Sequence, residues 1–495
     1  MRRRNSKNRT DNKRNGEGSW RDAKRRKIGP DDRTAGVAFT QEEIEAEQKR
    51  PKRKVAVMVG YSGTGYKGMQ VNGDDPTIER DLFRAFVAAG AISKANADDP
   101  RKSSLVRCAR TDKGVHAAGN VISLKLIIED EDIVDKINEA LPAQIRVWGI
   151  QRTNNSFSCY QGCDSRWYEY LLPSYSLLPP HPQTYLGKMI QEYAKKFDAE
   201  DELNKMMADV KDFWSDVEEK DIKPVLDSLD PAIRAKVLER IHSEEVEPAT
   251  EAGQADGSEP ASKAEETAEA SDVQASTGAD QSAADSKATE QADQRVEIPG
   301  SVQPRKRALG PMDFALRDIK LAYVAAKRRY RISPERLGRL QGALDKYQGT
   351  KNFHNYTVQK SPTDPSAKRH IKSFVVNPKP IIIGDTEWLS LKVHGQSFMM
   401  HQIRKMVGLA SLLVRCGTSL DRIPESYQHQ KMAIPKAPGL GLLLERPVFD
   451  NYNERAVGQL GKEAIDFTKY EERLEAFKQE HIYERIFEVE ERDNV

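Results

Sequence analysis

The chain has 495 residues, 31% of them charged, and a mean hydropathy of −0.71, so it is too long for one ordinary core and too polar to be globular throughout. No apolar run approaches a membrane span, and the four cysteines come with no sign of secretion, so reduced thiols are expected. The net charge of +2 hides an asymmetry: residues 244–297 hold 15 acidic against 3 basic side chains, and the first 54 hold 18 basic against 9 acidic. The remaining body is only mildly basic, so any polyanion site on it must be a local patch.

In chain order, the N-terminal stretch has few apolar residues and two basic clusters, at 24–27 and 49–54, which read as nuclear import signals. A mitochondrial presequence fits less well, because Asp11, Glu17 and Asp22 interrupt it and no apolar face appears. The run 55–59 predicts a strand. It leads into Gly63-Thr64-Gly65-Tyr66-Lys67-Gly68, formally a Gly-x-Gly-x-x-Gly pattern, which announces a dinucleotide site only where the glycines open a helix. Here 71–76 continues as loop, and a helix carrying Ile78, Leu82, Phe83 and Phe86 begins near Thr77 and ends at Gly90. No nucleotide cofactor is therefore expected; the loop is either a phosphate-contacting segment carrying Lys67 or a structural turn.

Strands are predicted over 121–128, 145–150 and 166–172, with a helix over 133–141. Residues 189–242 read as helical, and 244–297, without aromatics or a sustained stripe, as a disordered linker. A helix starting near Ala315 ends in Lys327-Arg328-Arg329-Tyr330-Arg331, suited either to a nucleic-acid backbone or to a solvated face. Strands follow over 371–376, 380–383 and 388–394, then a helix over 398–416. Beyond 451 a charged tail places Phe467, Tyr470, Leu474 and Phe477 on one stripe.

The candidate chemistry sits in Arg110-Thr111-Asp112-Lys113-Gly114-Val115-His116-Ala117. One carboxylate lies between two cations on a glycine-containing turn, immediately before a strand. Neighbouring positive charge keeps an Asp ionised, and an ionised carboxylate suits nucleophilic attack better than proton donation. The same core, Arg-x-Asp-Lys-Gly at 110–114, also suits an exposed turn, where Asp and Gly serve the backbone.

With its flanking segments the octapeptide resembles the pseudouridine synthases typified by the bacterial enzyme of the tRNA anticodon arm, and within them the eukaryotic nuclear group. The matching segments fall in order: KVAVMVGYSGTGYKGMQ at 54–70, SRWYEYLLPSY at 165–175, GTKNFHNYT at 349–357 and FMMHQIRKMVGL at 398–409, with 438–444. The resemblance implies an α+β fold, two similar sheet-and-helix halves sharing a mixed, mainly antiparallel central sheet with a cleft between them. It implies a cofactor-free isomerisation in which the base of a uridine is detached, rotated and rejoined through a ring carbon. Asp112 matches the catalytic aspartate; whether it adds to the sugar, adds to the base or acts through elimination stays open at this point. Arg404, in His401-Gln402-Ile403-Arg404-Lys405, matches the basic partner of that aspartate, and Tyr168 the tyrosine against the target base. Arg110, Lys67 and His401 join them as substrate-binding candidates. Lys351 departs from the pattern, where relatives often have His.

Six segments are then expected: a disordered basic tail, 1–53; a first catalytic half, 54–180; a helical insertion, 181–243; a disordered acidic linker, 244–310; a second catalytic half, 311–450; and a helical extension, 451–495. The implied partner is tRNA, with small nuclear RNA and messenger RNA as further candidates, no membrane, and a nuclear location. Cys159 and Cys163 have a spacing that zinc ligands can use, but Cys108 or a histidine would have to complete the set, and buried free thiols are the commoner arrangement. The rival function is an RNA-binding protein of the same fold without chemistry. An RNA methyltransferase fits less well, since the one glycine-rich candidate lies in the wrong context.

Overall fold

β1 (Arg53–Tyr61) is buried along almost its whole length because it is covered on both faces. The computed structural model describes residues 36–244 and 310–493. Among them β1 joins β2 (Val106–Arg107), β3 (His116–Leu126), β4 (Ile145–Arg152), β5 (Ser165–Pro173), β6 (Gly349–Asn352), β7 (Lys368–Val376), β8 (Ile381–Ile383), β9 (Thr386–Gly395) and β10 (Leu442–Val448). They form one sheet in the order β4-β1-β3-β10-β5-β9-β7-β6, with β2 beside β3 and β8 beside β9. Only the β3–β10 pairing is parallel. The mixed α+β fold with a mainly antiparallel sheet is therefore present.

The two halves do not keep their strands to themselves. β5, last strand of the first half, pairs with β9, while β10, last strand of the second, lies between β3 and β5. Each half lends its final strand to the other, which carries residues from opposite ends of the sequence to neighbouring positions.

Side-chain alternation assigns the faces. Val55, Val57, Val59 and Tyr61 share a core with Leu82, Phe83 and Phe86 of helix Ile78–Ala88 and Ile137 of helix Ile133–Ala140. That core runs on through Tyr168, Tyr170 and Leu391 to Leu340 of helix Pro334–Asp345 and Met406 of helix Gln402–Arg415. On the opposite face Ala56, Met58, Trp148 and Trp388 meet Phe449, Phe467, Phe477 and Ile486. The C-terminal residues thus cover the second face, and β3 is buried at every position except Lys125. Each large side chain so buried contributes about 1.5–3 kcal/mol.

The structure departs from the sequence expectation in several places. The tail expected to lack structure as far as residue 53 contains a helix, Gln41–Ala46, closed by a capping box between Thr40 and Glu43. Its second basic cluster is engaged: Arg50 pairs with Asp130 at 2.6 Å, Lys52 donates to Ser93 at 2.7 Å, and Lys54 is buried in β1. The cluster at 24–27 and nearly all of the acidic linker lie outside the described residues. β3 begins five residues earlier than predicted, at His116. The helix predicted over 398–416 starts only at Gln402 because His401 adopts a left-handed backbone, φ 62°.

The chain divides into two units. One comprises the residues up to Pro180, Ala194–Lys211 and Lys327 onward; the other comprises His181–Tyr193 and Asp212–Ala326. The expected boundaries of insertion and second half therefore shift. Residues 194–211 belong to the first unit, where Asp209 pairs with the buried Arg336 at 2.9 Å. Most of helix Pro311–Arg329 belongs to the second, whose core joins Val217, Ile222, Leu226 and Val237 to Leu316 and Ile319.

Candidate active site

The octapeptide folds as a turn held from several directions. Its own closure is the Val115 N–H donating to the Asp112 carbonyl at 3.1 Å. The glycine-rich loop is bonded directly to it: the Gly114 N–H donates to the Tyr66 carbonyl at 3.3 Å, and the Met69 N–H to the Thr111 carbonyl at 3.1 Å. Gly63 makes this approach feasible, since a Cβ there would lie 2.3 Å from the Val115 carbonyl oxygen. Gly63 and Gly68 serve close backbone packing against the turn, whereas Gly65, with φ 85°, lies open, and Lys67 is exposed.

Behind the turn a buried network fixes its root. The Tyr61 and Thr111 hydroxyls share a hydrogen bond of 2.9 Å. Asn120 donates to the Tyr61 hydroxyl at 3.2 Å and to the Ala109 carbonyl at 3.1 Å, and its Oδ1 accepts from the N–H groups of Ala109 and Val121. The amide therefore uses both its ends on the strand edge that leads to Asp112. Burial pushes the Tyr61 phenol up to about 12, so it remains a neutral hydrogen-bonding group.

His116, fully buried, completes the support. Its Nδ1 accepts from the Gly63 N–H at 3.2 Å and lies 3.2 Å from the Ser62 hydroxyl. Because a backbone N–H can only donate, Nδ1 carries no proton and the ring is neutral with its hydrogen on Nε2. Burial holds its pKa down to about 4.

Asp112 itself is about one-third exposed, with 34% of its side chain open. His401 Nδ1 lies 3.2 Å from its Oδ2, without the alignment of a hydrogen bond. Arg404 follows inside the helix and is buried. Its Nε donates to the Ala437 carbonyl at 2.7 Å, and the Ala437 N–H returns a bond to the Arg404 carbonyl at 3.0 Å. A Cβ on Gly439 would stand 3.6 Å from the Arg404 Cζ and 3.8 Å from the Lys113 carbonyl oxygen. The guanidinium and the aspartate-bearing turn therefore flank one glycine. Sequence pointed to Arg404 as the partner of Asp112; the contact at 3.2 Å adds His401, three residues earlier.

Tyr168 is buried in β5 with Phe398 edge-on to its ring, centroids 5.3 Å apart. Burial raises its pKa well above the usual phenol value. Arg110 and Lys113 are exposed on either side of Asp112. The cluster 327–331 is in part a solvated face, with Arg329 and Arg331 exposed, and in part engaged. Tyr330 is buried, Arg328 donates to the Glu491 carbonyl at 2.9 Å, and Arg331 donates to the carbonyls of Arg328, Tyr330 and Asp385.

The Cys159 and Cys163 thiols each donate to a backbone carbonyl, those of Val106 and Ser165. Among the described residues no group of three or more His, Cys, Asp or Glu side chains could hold a metal ion. Sequence reasoning missed Tyr61 and Asn120. Both lie just outside the strands predicted over 55–59 and 121–128, so nothing marked them until the turn they hold was known.

A family model described as tRNA pseudouridine synthase matches residues 343–450, the stretch that holds His401 and Arg404. The half holding Asp112 is covered by whole-chain relatives. The tRNA pseudouridine synthase 1 of Kluyveromyces lactis is 43% identical over 91% of this chain and 70% of its own length. That of Schizosaccharomyces pombe is 42% identical over 92% of this chain and 84% of its own. The mouse pseudouridylate synthase 1 homolog is 31% identical over 91% and 73%. With identity at this level across nearly the whole length, the chain belongs to the tRNA pseudouridine synthase family.

Proposed function

We propose that this chain isomerises uridine to pseudouridine in tRNA, with Asp112 acting on the target nucleotide. The observation that carries this is the placement of Asp112: a partly exposed carboxylate on a braced turn, touching a histidine from the far part of the chain. Relatives called tRNA pseudouridine synthase 1 support the substrate. The bond between base and sugar breaks, the base turns, and a bond through a ring carbon forms. Nothing is oxidised and no group is lost, so the reaction calls for no cofactor.

Within this reading Tyr168 borders the base, His401 and Arg404 steady the charge at the reacting carboxylate, and the exposed Arg110 and Lys67 meet phosphates. A target inside folded RNA must first leave its stack. Small nuclear RNA and messenger RNA are further substrates of the same chemistry, and the basic cluster at 24–27 supports action in the nucleus. The test is pseudouridine mapping on tRNA transcripts incubated with the purified chain and with Asp112→Asn. Product from the first and none from the second, at equal RNA affinity, is the expected result. Binding by both without product would establish the rival reading, an RNA-binding protein without chemistry.

A further inference from the structure

Phe398, Met399 and Met400 are consecutive apolar residues with different fates. Phe398 packs edge-on against Tyr168, and it and Met399 lie against the main core. Met400 is 55% exposed. The next residue, His401, takes a left-handed backbone and brings its ring to Asp112. One residue thus turns toward the carboxylate while the residue before it in sequence stays in solvent.

The backbone presenting Met400 is tied down by hydrogen bonds. The Thr357 hydroxyl donates to the Met400 carbonyl at 3.0 Å, and Lys405 Nζ holds the Thr357 carbonyl at 3.1 Å. On the other side the Met399 N–H donates to the Gln402 side chain at 2.9 Å. Single exposed apolar side chains are ordinary on protein surfaces. This one is set apart by its hydrogen-bonded backbone and by directly preceding in sequence the histidine that touches Asp112, whose own exposed neighbours in sequence are the cations Arg110 and Lys113.

Cations suit phosphates, and an apolar side chain among them suits the faces of bases, the one apolar surface a nucleic acid offers. An unbranched, polarisable thioether adapts to whichever base is present. We propose that Met400 is a base-contacting residue: it packs against a nucleotide flanking the target uridine and holds open the stack from which the target leaves. The inference rests on the function proposed above.

The experiment uses single-turnover pseudouridine formation by the full chain on a tRNA transcript whose target position has been mapped. The transcript is made in two forms, with the target paired and with a mismatch opposite it. Met400→Ala is expected to slow the paired form by about tenfold and the mismatched form by no more than about threefold, because only the first needs help to unstack. Met400→Leu is expected to recover most of the loss on the paired form. Equal loss on both forms, or no loss on the paired one, overturns the proposal. Asp112→Asn should be inactive on both. Should the unaltered chain make no product on either RNA, the functional reading itself falls, and this inference with it.

Discussion

His401 reaches Asp112 from a backbone that few residues adopt: its φ is +62°, and its Nδ1 stands 3.2 Å from the carboxylate. A non-glycine residue in the left-handed region is uncommon, and His, Asn and Asp tolerate it best. The conformation both stops the helix from extending backward and points the ring at the turn. Local geometry of this kind persists where surrounding contacts hold it, here the hydrogen bonds of Met399 and Met400 on one side and the Gln402–Arg415 helix on the other.

Two substitutions at His401 separate these effects. His401→Asn keeps a residue tolerant of the left-handed region but loses the ring, so the thermal midpoint should hold while single-turnover pseudouridine formation falls by about tenfold. His401→Ala removes the ring and places there a residue less tolerant of the left-handed region, so midpoint and rate should fall together. An Asn variant as fast as the unaltered chain would remove His401 from the site.

Asn120→Ala leaves the Ala109 N–H and carbonyl and the Tyr61 hydroxyl without their shared partner inside the protein. The cost is about 1–3 kcal/mol, read from the denaturation midpoint, with a rate loss because Thr111 is no longer held from behind. Tyr61→Phe removes one hydroxyl and should cost less. A rate unchanged by Asn120→Ala would mean that the root of the turn does not position Asp112.

Gly63→Ala tests the contact between loop and turn. The new methyl group would meet the Val115 carbonyl oxygen at 2.3 Å, so one of the two segments must move. Because Val115 closes the Asp112 turn, overpacking of about 1–3 kcal/mol should appear with a lower rate constant and little change in RNA affinity. If the rate holds while stability falls, the displacement has been absorbed by the loop alone.

Much of this fold was legible where a local pattern carried it. Residues 55–59 and 166–172 read as strands because apolar and aromatic side chains crowd them, and helix 78–88 because its apolar residues recur at helical spacing. His116 to Asn120 did not, since His, Ala, Ala, Gly and Asn have no strand preference. They are held as strand by pairing with β1 and, at His116 and Ala117, with β10, partners distant in sequence. The exchange of final strands between halves is equally non-local. At the site, Asp112, Arg404 and His401 were found through motifs, whereas Asn120 and Tyr61 act through a hydrogen-bond network that exists only once β1, β3 and the segment 109–111 are assembled. Arg50 and Lys52 read as part of a nuclear import signal because their partners, Asp130 and Ser93, are also remote.

His116 sets a pH dependence. Its folded pKa, about 4, lies below the ordinary 6.5, so between those values the unfolded chain binds the proton more readily than the folded one. Stability therefore rises with pH across that window and is lost as pH falls from about 6.5 toward 4, by up to roughly 3 kcal/mol from this group. His394, also held near 4, mainly by burial and then by Lys372, adds in the same direction. Denaturation midpoints between pH 7 and 5 should slope accordingly, and His116→Asn, which keeps an acceptor for the Gly63 N–H, should flatten the slope. An unchanged slope would place the acid sensitivity elsewhere.

The C-terminal helices are fastened by a buried charge cluster on the sheet face away from Tyr168. Lys478 lies 3.3 Å from Glu445, 3.2 Å from Glu475 and 3.9 Å from Glu169, and Glu169 also accepts from the Tyr483 hydroxyl at 2.5 Å. Burial alone would lower the Lys478 pKa, but the carboxylates, Glu445 foremost, outweigh it and raise the value. Lys478→Ala removes the cation and leaves Glu169 uncompensated, which should cost about 3 kcal/mol in the denaturation midpoint. Adding Glu445→Gln to Lys478→Met should recover part of that loss by removing one stranded charge. The site lies on the other face, so the RNA-dependent rate per folded molecule should hold in both variants. A Lys478→Ala chain within about 0.5 kcal/mol of the original would show that apolar packing by Phe477, Ile482 and Ile486 suffices to keep the extension in place.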